Sequence, residues 1–182
     1  MEKLRKLGRI ILPILLLLSA NSFSQNVKQK DSVRNKLMNA AREIMTASGT
    51  CALITQDHEG RSRVRVMDPF LPESNFTVWF ATNPKSRKVD QIKNDPKVTL
   101  YYFDPNTSAY VMIHGIAKLV DDLKEKEERW KDGWELFYPE KPEGYLLIKV
   151  SPEWMEVISY SHGIVGNPST WEPPIVLFNF KE

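Results

Sequence analysis

Two short stretches carry residues whose types and spacing suit them to holding an anion. In Arg61-Ser62-Arg63-Val64-Arg65-Val66 the arginines recur at every second position. Alternate side chains on a strand share a face, so the guanidinium groups point one way and Val64 and Val66 the other. Guanidinium forks match phosphate geometry, although the same pattern also fits a solvated outer face. In Phe80-Ala81-Thr82-Asn83-Pro84-Lys85-Ser86-Arg87-Lys88 a strand ends, the chain turns, and a helix opens with a hydroxyl followed by two cations. The first turn of a helix has unpaired N–H groups and partial positive charge, so cations placed there oppose helix stability. A bound phosphate would resolve that conflict by meeting the amides, the Ser86 hydroxyl and both cations together. Side chains extending into water are the competing reading.

Other reactive residue types form no pattern. Cys51 is the single cysteine and lies in the apolar stretch Cys51-Ala52-Leu53-Ile54, so it reads as a small buried hydrophobe, and no intrachain disulfide can form. His58 falls in a turn, His114 in mid-strand before Gly115, and His162 beside Gly163. Their spacing suggests neither a metal site nor a Ser/His/Asp arrangement.

The elements that must position the cation-bearing residues follow from periodicity. Val33, Leu37, Ala40, Ala41, Ile44 and Met45 recur at helical spacing, which predicts a helix from about Asp31 to just before Gly49. Strands are predicted at 50–55, 61–67, 76–82, 98–103, 109–120, 145–150 and 154–159, with Asp57-His58-Glu59-Gly60 as a hairpin turn and Gly115 as a bulge. A short helix spans 86–94 and stops before Pro96. A charged helix over Asp121 to Phe137 carries Trp130, Trp134 and Phe137 as a cap on the barrel. The tail from Ser161 is rich in Gly and Pro until the apolar run Ile175 to Phe180. Many short strands with few helices predict a mainly β fold, an antiparallel barrel with helices packed outside.

From Thr50 to Val120 the chain resembles the FMN-binding split barrel of the pyridoxamine 5′-phosphate oxidase-like superfamily, in its general stress protein 26 form. The likeness is carried by Gly60-Arg61-Ser62-Arg63-Val64, Phe80-Ala81-Thr82-Asn83, Ser86-Arg87-Lys88, Ile92-Lys93-Asn94-Asp95-Pro96-Lys97-Val98, and Tyr110-Val111-Met112-Ile113-His114-Gly115-Ile116-Ala117. Trp130, Trp134 and the later Pro152-Glu153-Trp154 add to it. The resemblance implies that Arg63, Arg87 and Lys88 contact the phosphate of FMN with Ser86 and Thr82 beside it. It also implies that Arg63 and Val64 line the flavin edge, and that a homodimer holds the flavin between its subunits. Asp68 stands where vitamin B6 oxidases have a lysine, and Tyr110 where they place a glutamine at the ring. Their C-terminal Arg-x-His signature is absent; the tail offers only His162 and Trp171. A genuine pyridoxamine phosphate oxidase is therefore not the expectation.

Length and charge bound the remaining possibilities. The 182 residues suit one domain, and 42% hydrophobic with 26% charged residues gives no sign of a repeat or a disordered chain. Lys3, Arg5, Lys6 and Arg9, the apolar run Ile10 to Leu18, and the small residues Ser22 and Ser24 follow the plan of a secretory signal peptide. Cleavage after Ser24 is expected, with a cut after Ala20 as the alternative. The apolar run is about half the roughly 20 residues of a spanning helix, so no stable membrane span is expected after cleavage. Residues 1–24 hold four Lys/Arg and one Glu, so removing them takes the chain from +2 to −1 and leaves no case for a nucleic-acid binder. The organisation expected is a signal peptide (1–24), a split-barrel domain (25–160) and a tail (161–182). The function expected is an FMN-dependent oxidoreductase of the periplasm or cell envelope, with its substrate unassigned. The alternatives are a non-enzymatic flavin- or haem-binding module, with His114 or His162 as the haem ligand, and a cofactor-free structural dimer.

Overall fold

Apolar side chains at a period of two shape most strands of this chain, and the described strands are all antiparallel. The computed structural model describes residues 28–178. The expected leader, 1–24, lies outside them, as do Asn179 and Phe180 of the last apolar run. The first helix, α1 (28–48), crosses the boundary between two compact units, one ending at Met38 and the other starting at Asn39. Within the second unit Ala40, Ala41, Ile44 and Met45 are buried, which is the helical spacing seen in the sequence.

The strands are β1 (Cys51–Gln56), β2 (Ser62–Met67), β3 (Val78–Thr82), β4 (Lys97–Asp104), β5 (Ala109–Val120), β6 (Leu146–Ile158) and β7 (Ile175–Leu177). Helix α2 (Arg87–Asn94) joins β3 to β4, and α3 (Leu123–Glu128) follows β5. The sheet runs β2-β1-β4-β5-β6-β3, with β7 paired to β6. Strands β2 and β3 end that path without pairing to each other, so the sheet curls but does not close. Leu53, Phe80, Leu100, Ile113, Ile148 and Met155 are fully buried on its inner side, and Leu147, on the opposite face, is buried against Trp79 and Ala81. Each such side chain contributes about 1.5–3 kcal/mol by leaving water.

Two predicted elements differ from the structure. The single helix over 121–137 is broken: α3 ends at Glu128, and a 3-10 turn forms at Trp134–Leu136. Gly133 lies between them at φ 85°, a left-handed conformation that interrupts an α-helix and suits glycine. The break lets Trp134 turn into a cluster with Trp79, Ala81, Tyr145 and Leu147. Conversely, the strands predicted at 145–150 and 154–159 are one strand, β6, despite Pro152. The proline is tolerated because it faces Gly115, where the β5–β6 register shifts as the sequence anticipated.

That bulge explains why position 115 is glycine. A Cβ there would stand 2.3 Å from the Ser151 carbonyl oxygen and 3.0 Å from the Pro152 Cα. The Gly115→Ala variant should therefore lose about 1–3 kcal/mol of stability. Urea unfolding reads this as a lower midpoint at unchanged slope, and an unmoved midpoint would refute the packing account.

Candidate functional site

The arginines of β2 lie on the core side of the sheet and its valines on the outside. Register fixes this: Leu53 and Thr55, both buried, face Arg65 and Arg63, whereas Val64 and Val66 pair with Ile54 and Ala52. The solvated-face reading of these arginines is thereby replaced, since Val64 is 66% and Val66 73% exposed while Arg63 and Arg65 are half-buried.

Each guanidinium has its own partners. Asp57, in the hairpin turn, accepts from the Glu59 and Arg61 amides at 3.0 Å and from Arg61 Nε and Arg63 Nε at 2.9 Å. Desolvation opposes its charge, but these donors hold the carboxyl well below the usual carboxylate range. Arg65 reaches inward instead. It donates to Thr55 Oγ1 at 2.6 Å and to Gln91 Oε1 of α2 at 2.8 Å, and the Thr55 hydroxyl also donates to Gln91 Oε1 at 2.6 Å. Burial, then the charges of Arg87 and Arg63, push the Arg65 pKa down.

At the start of α2, Ser86 occupies the N-cap position without forming a side-chain cap. Its hydroxyl accepts from Lys88 Nζ at 2.7 Å, and the same ammonium donates to Thr82 Oγ1 at 3.0 Å. Burial and then Arg65 lower the Lys88 pKa. A half-buried ammonium with two hydroxyl acceptors among the described residues, beside a second cation, is electrostatically undersatisfied, and an anion is what would relieve it.

A cavity of about 530 Å³ opens where β2 and β3 fail to pair. Thr82, Ser86 and Lys88 form its polar end, and Val66, Met67 and Asp68 line it where β2 finishes. The far wall is aromatic: Trp134, Phe137 and Tyr138 from the 3-10 turn and the residues just after it. Asp68 pairs with Lys131 Nζ at 2.6 Å, and Lys131 also donates to the Pro69 carbonyl at 2.7 Å.

The expected site residues are thus divided among four places. Thr82, Ser86 and Lys88 come together in the large cavity. Arg63 and Arg87 line an adjacent cavity of about 220 Å³ with Asp57, His58, Asp90 and Gln91. Consecutive helical residues diverge by about 100°, which is why Arg87 and Lys88 part company. Arg87 makes no hydrogen bond or ion pair among the described residues. Val64 points to the outer face, away from both cavities. Tyr110 lines a third cavity, of about 490 Å³, with Tyr160 and the exposed Trp171. Met67 and Tyr138 were not singled out by the sequence, and Arg65 was placed only as one of three arginines on a shared face.

The remaining reactive groups are engaged elsewhere. Burial pushes the Cys51 thiol up to about 12. His162 bonds Glu43 at 2.9 Å through Nε2 and Ser159 at 2.8 Å through Nδ1. His114 stacks on Trp154 with ring centroids 5.5 Å apart. Among the described residues no three His, Cys, Asp or Glu side chains group to hold a metal ion, and no helix is long and apolar enough to cross a membrane.

The profile of the family described as pyridoxamine 5′-phosphate oxidase like matches residues 36–165, well over half of the chain. The chain belongs to that family. Among solved structures it is similar to a Clostridium acetobutylicum protein related to general stress protein 26 of B. subtilis. The two are 25% identical with a TM-score of 0.62, over 70% of this chain and 90% of that one. General stress protein 26 from Bacillus anthracis is 22% identical with a TM-score of 0.59, over 80% and 98%. A pyridoxamine 5′-phosphate oxidase-related, FMN-binding protein from Nostoc punctiforme is 18% identical with a TM-score of 0.54, over 82% and 96%. These likenesses match the split-barrel fold expected from the sequence. No curated protein matches the chain.

Proposed function

We propose that this protein is an exported FMN-binding, oxidoreductase-like member of its family, working as a homodimer. The observation that carries the reading is the undersatisfied Lys88 ammonium, held by Thr82 and Ser86 at one end of a cavity large enough for a cofactor. A phosphate there fits the donor set: one ammonium, two hydroxyls and the uncapped amides of the first turn of α2. Arg87, exposed and unpaired among the described residues, is free to join it. The Nostoc neighbour is an FMN-binding protein on the same fold. When bound, the flavin would supply the electron chemistry, and this chain would fix its phosphate and shield its ring. No acid–base residue is assigned. The haem alternative gains no support from the two histidines: His162 uses both ring nitrogens, and His114 lies against Trp154 outside the large cavity.

Dimerisation is supported by the outer face of the sheet. Val66, Ala52, Tyr101 and Met112 face one another across β2, β1, β4 and β5, and Val64 and Phe103 widen the same surface. Val64, Val66, Tyr101 and Phe103 are 66%, 73%, 37% and 47% exposed, a contiguous apolar patch of the kind that marks an interface. In the family arrangement implied by the resemblance, the flavin meets both subunits, and Tyr110 would then reach it from the partner. Export rests on the charge and hydropathy plan of residues 1–24.

Three outcomes are expected. Charge-assisted hydrogen bonds contribute about 1.5–3 kcal/mol, so Lys88→Ala should weaken FMN binding by about ten- to a hundredfold and leave riboflavin nearly unaffected in the same fluorescence titration. Equal losses for both ligands would assign Lys88 a structural role, and the same comparison for Arg87→Ala decides whether that guanidinium serves the phosphate. Val66→Glu should convert a dimer into a monomer by light scattering; a wild-type chain that is already monomeric rejects the interface. N-terminal sequencing of the chain recovered from the cell envelope should begin at Gln25, whereas an intact Met1 would reject cleavage.

A further inference from the structure

The two ends of the large cavity differ in chemistry, and a phosphate accounts for only one of them. At the other end Phe137 is 72% exposed and makes no ring contact with any described residue, although Trp134 and Tyr138 on either side of it do. Trp134 is held edge-on to Tyr138, centroids 5.7 Å apart and planes at 76°, and is anchored beneath by Phe70 and Tyr145. The wall is therefore rigid at its base and offers an open aromatic surface at its mouth.

Polar groups there are nearly all paired. Asp68 and Lys131 neutralise each other at 2.6 Å, which leaves no free charge at that end. Tyr138 is the exception: it lines the cavity half-buried, and its phenol has no hydrogen-bond partner among the described residues. Burial and then Asp68 raise its pKa, so the hydroxyl keeps its proton and remains a donor through the physiological range. A half-buried donor without an acceptor favours a ligand that brings one.

We propose that Phe137 and Tyr138 form a subsite for a planar, uncharged aromatic molecule bearing a hydrogen-bond-accepting oxygen, stacked on Phe137 and accepting from the Tyr138 hydroxyl. The assignment rests on the flavin reading insofar as the phosphate end is filled by the cofactor and the second molecule lies beside it. It disfavours a phosphorylated or carboxylated partner, for which the aromatic end has no free cation.

Coumarin, neutral and flat with one lactone carbonyl, is a suitable probe. Calorimetric titration of the full mature chain, with and without FMN, should show it binding. Tyr138→Phe, which keeps the ring and removes the hydroxyl, should weaken coumarin by about three- to tenfold. Phe137→Ala, at an exposed position, should weaken it by a similar factor of about three to ten. Both variants should keep wild-type thermal melting, and any loss of FMN affinity should be smaller than the loss for coumarin. The idea is overturned if coumarin binds neither form, if either variant binds it as tightly as wild type, or if FMN affinity falls in step with coumarin. That last result would give the aromatic wall to the flavin itself. Failure of FMN to bind at all would instead reject the proposed function, and the coumarin comparisons on the cofactor-free chain would still decide this subsite.

Discussion

A curled sheet whose edge strand turns arginines toward the core cannot close by simple packing, and much of this molecule follows from that constraint. Arg63 and Arg65 of β2 stand opposite the buried, inward-facing Thr55 and Leu53 of β1. Burying them without partners would cost several kcal/mol. The fold answers with Asp57 in the hairpin for Arg63, and with Thr55 and Gln91 for Arg65. Gln91 comes from α2, so the polar network also fixes the helix against the open edge. Because α2 is fixed, Lys88 and Ser86 face Thr82 at the end of β3. The seam between β2 and β3 is thereby kept open and lined, which is what a ligand site on a barrel requires.

The residues flanking that seam do separate work. Loop 68–77 is fastened by Arg42, which donates to the carbonyls of Pro72, Glu73 and Ser74 and lies over the Phe76 ring at 4.3 Å. Arg129 stacks on Trp79 at 3.9 Å and bonds Glu73, which in turn accepts from the Trp79 indole. These contacts tie the chain beyond β2 to the aromatic cluster behind the cavity. Asp68 and Trp134 therefore belong to one stiff wall, although they are 66 positions apart in sequence.

How much of this could be read from the sequence depended on how local each cause was. The grouping of Thr82, Ser86 and Lys88 was legible because a strand, an Asn-Pro turn and a helix start follow one another within a few residues. The bulge at Gly115 was legible for the same reason. Arg63 and Arg65 could be placed on one face, but what separates their roles lies elsewhere: Asp57 holds the first, and Gln91, 26 positions along, holds the second. Helical spacing of Trp130, Trp134 and Phe137 concealed the break at Gly133, because tertiary packing of Trp134 outweighed the local pattern. Pro152 looked like a strand terminator until its partner across the ladder was known. Tyr110 could be matched only by resemblance, and within one chain it faces a different cavity from Lys88.

The Asp57 carboxylate also sets how the site counts charge. Together with Glu59, which pairs with Arg61, it offsets the charges of Arg61 and Arg63 in the field that a ligand would experience. Arg65, Arg87 and Lys88 remain, and Asp90 in the first turn of α2 offsets one of them. The residue is an excess of about two positive charges, close to the −1.5 to −2 of a phosphate monoester at neutral pH. A diester, with a single charge, would leave part of that excess uncompensated. At the proposed phosphate site, selectivity for a terminal phosphate over an internal one would then depend on a hairpin turn that need not touch the ligand.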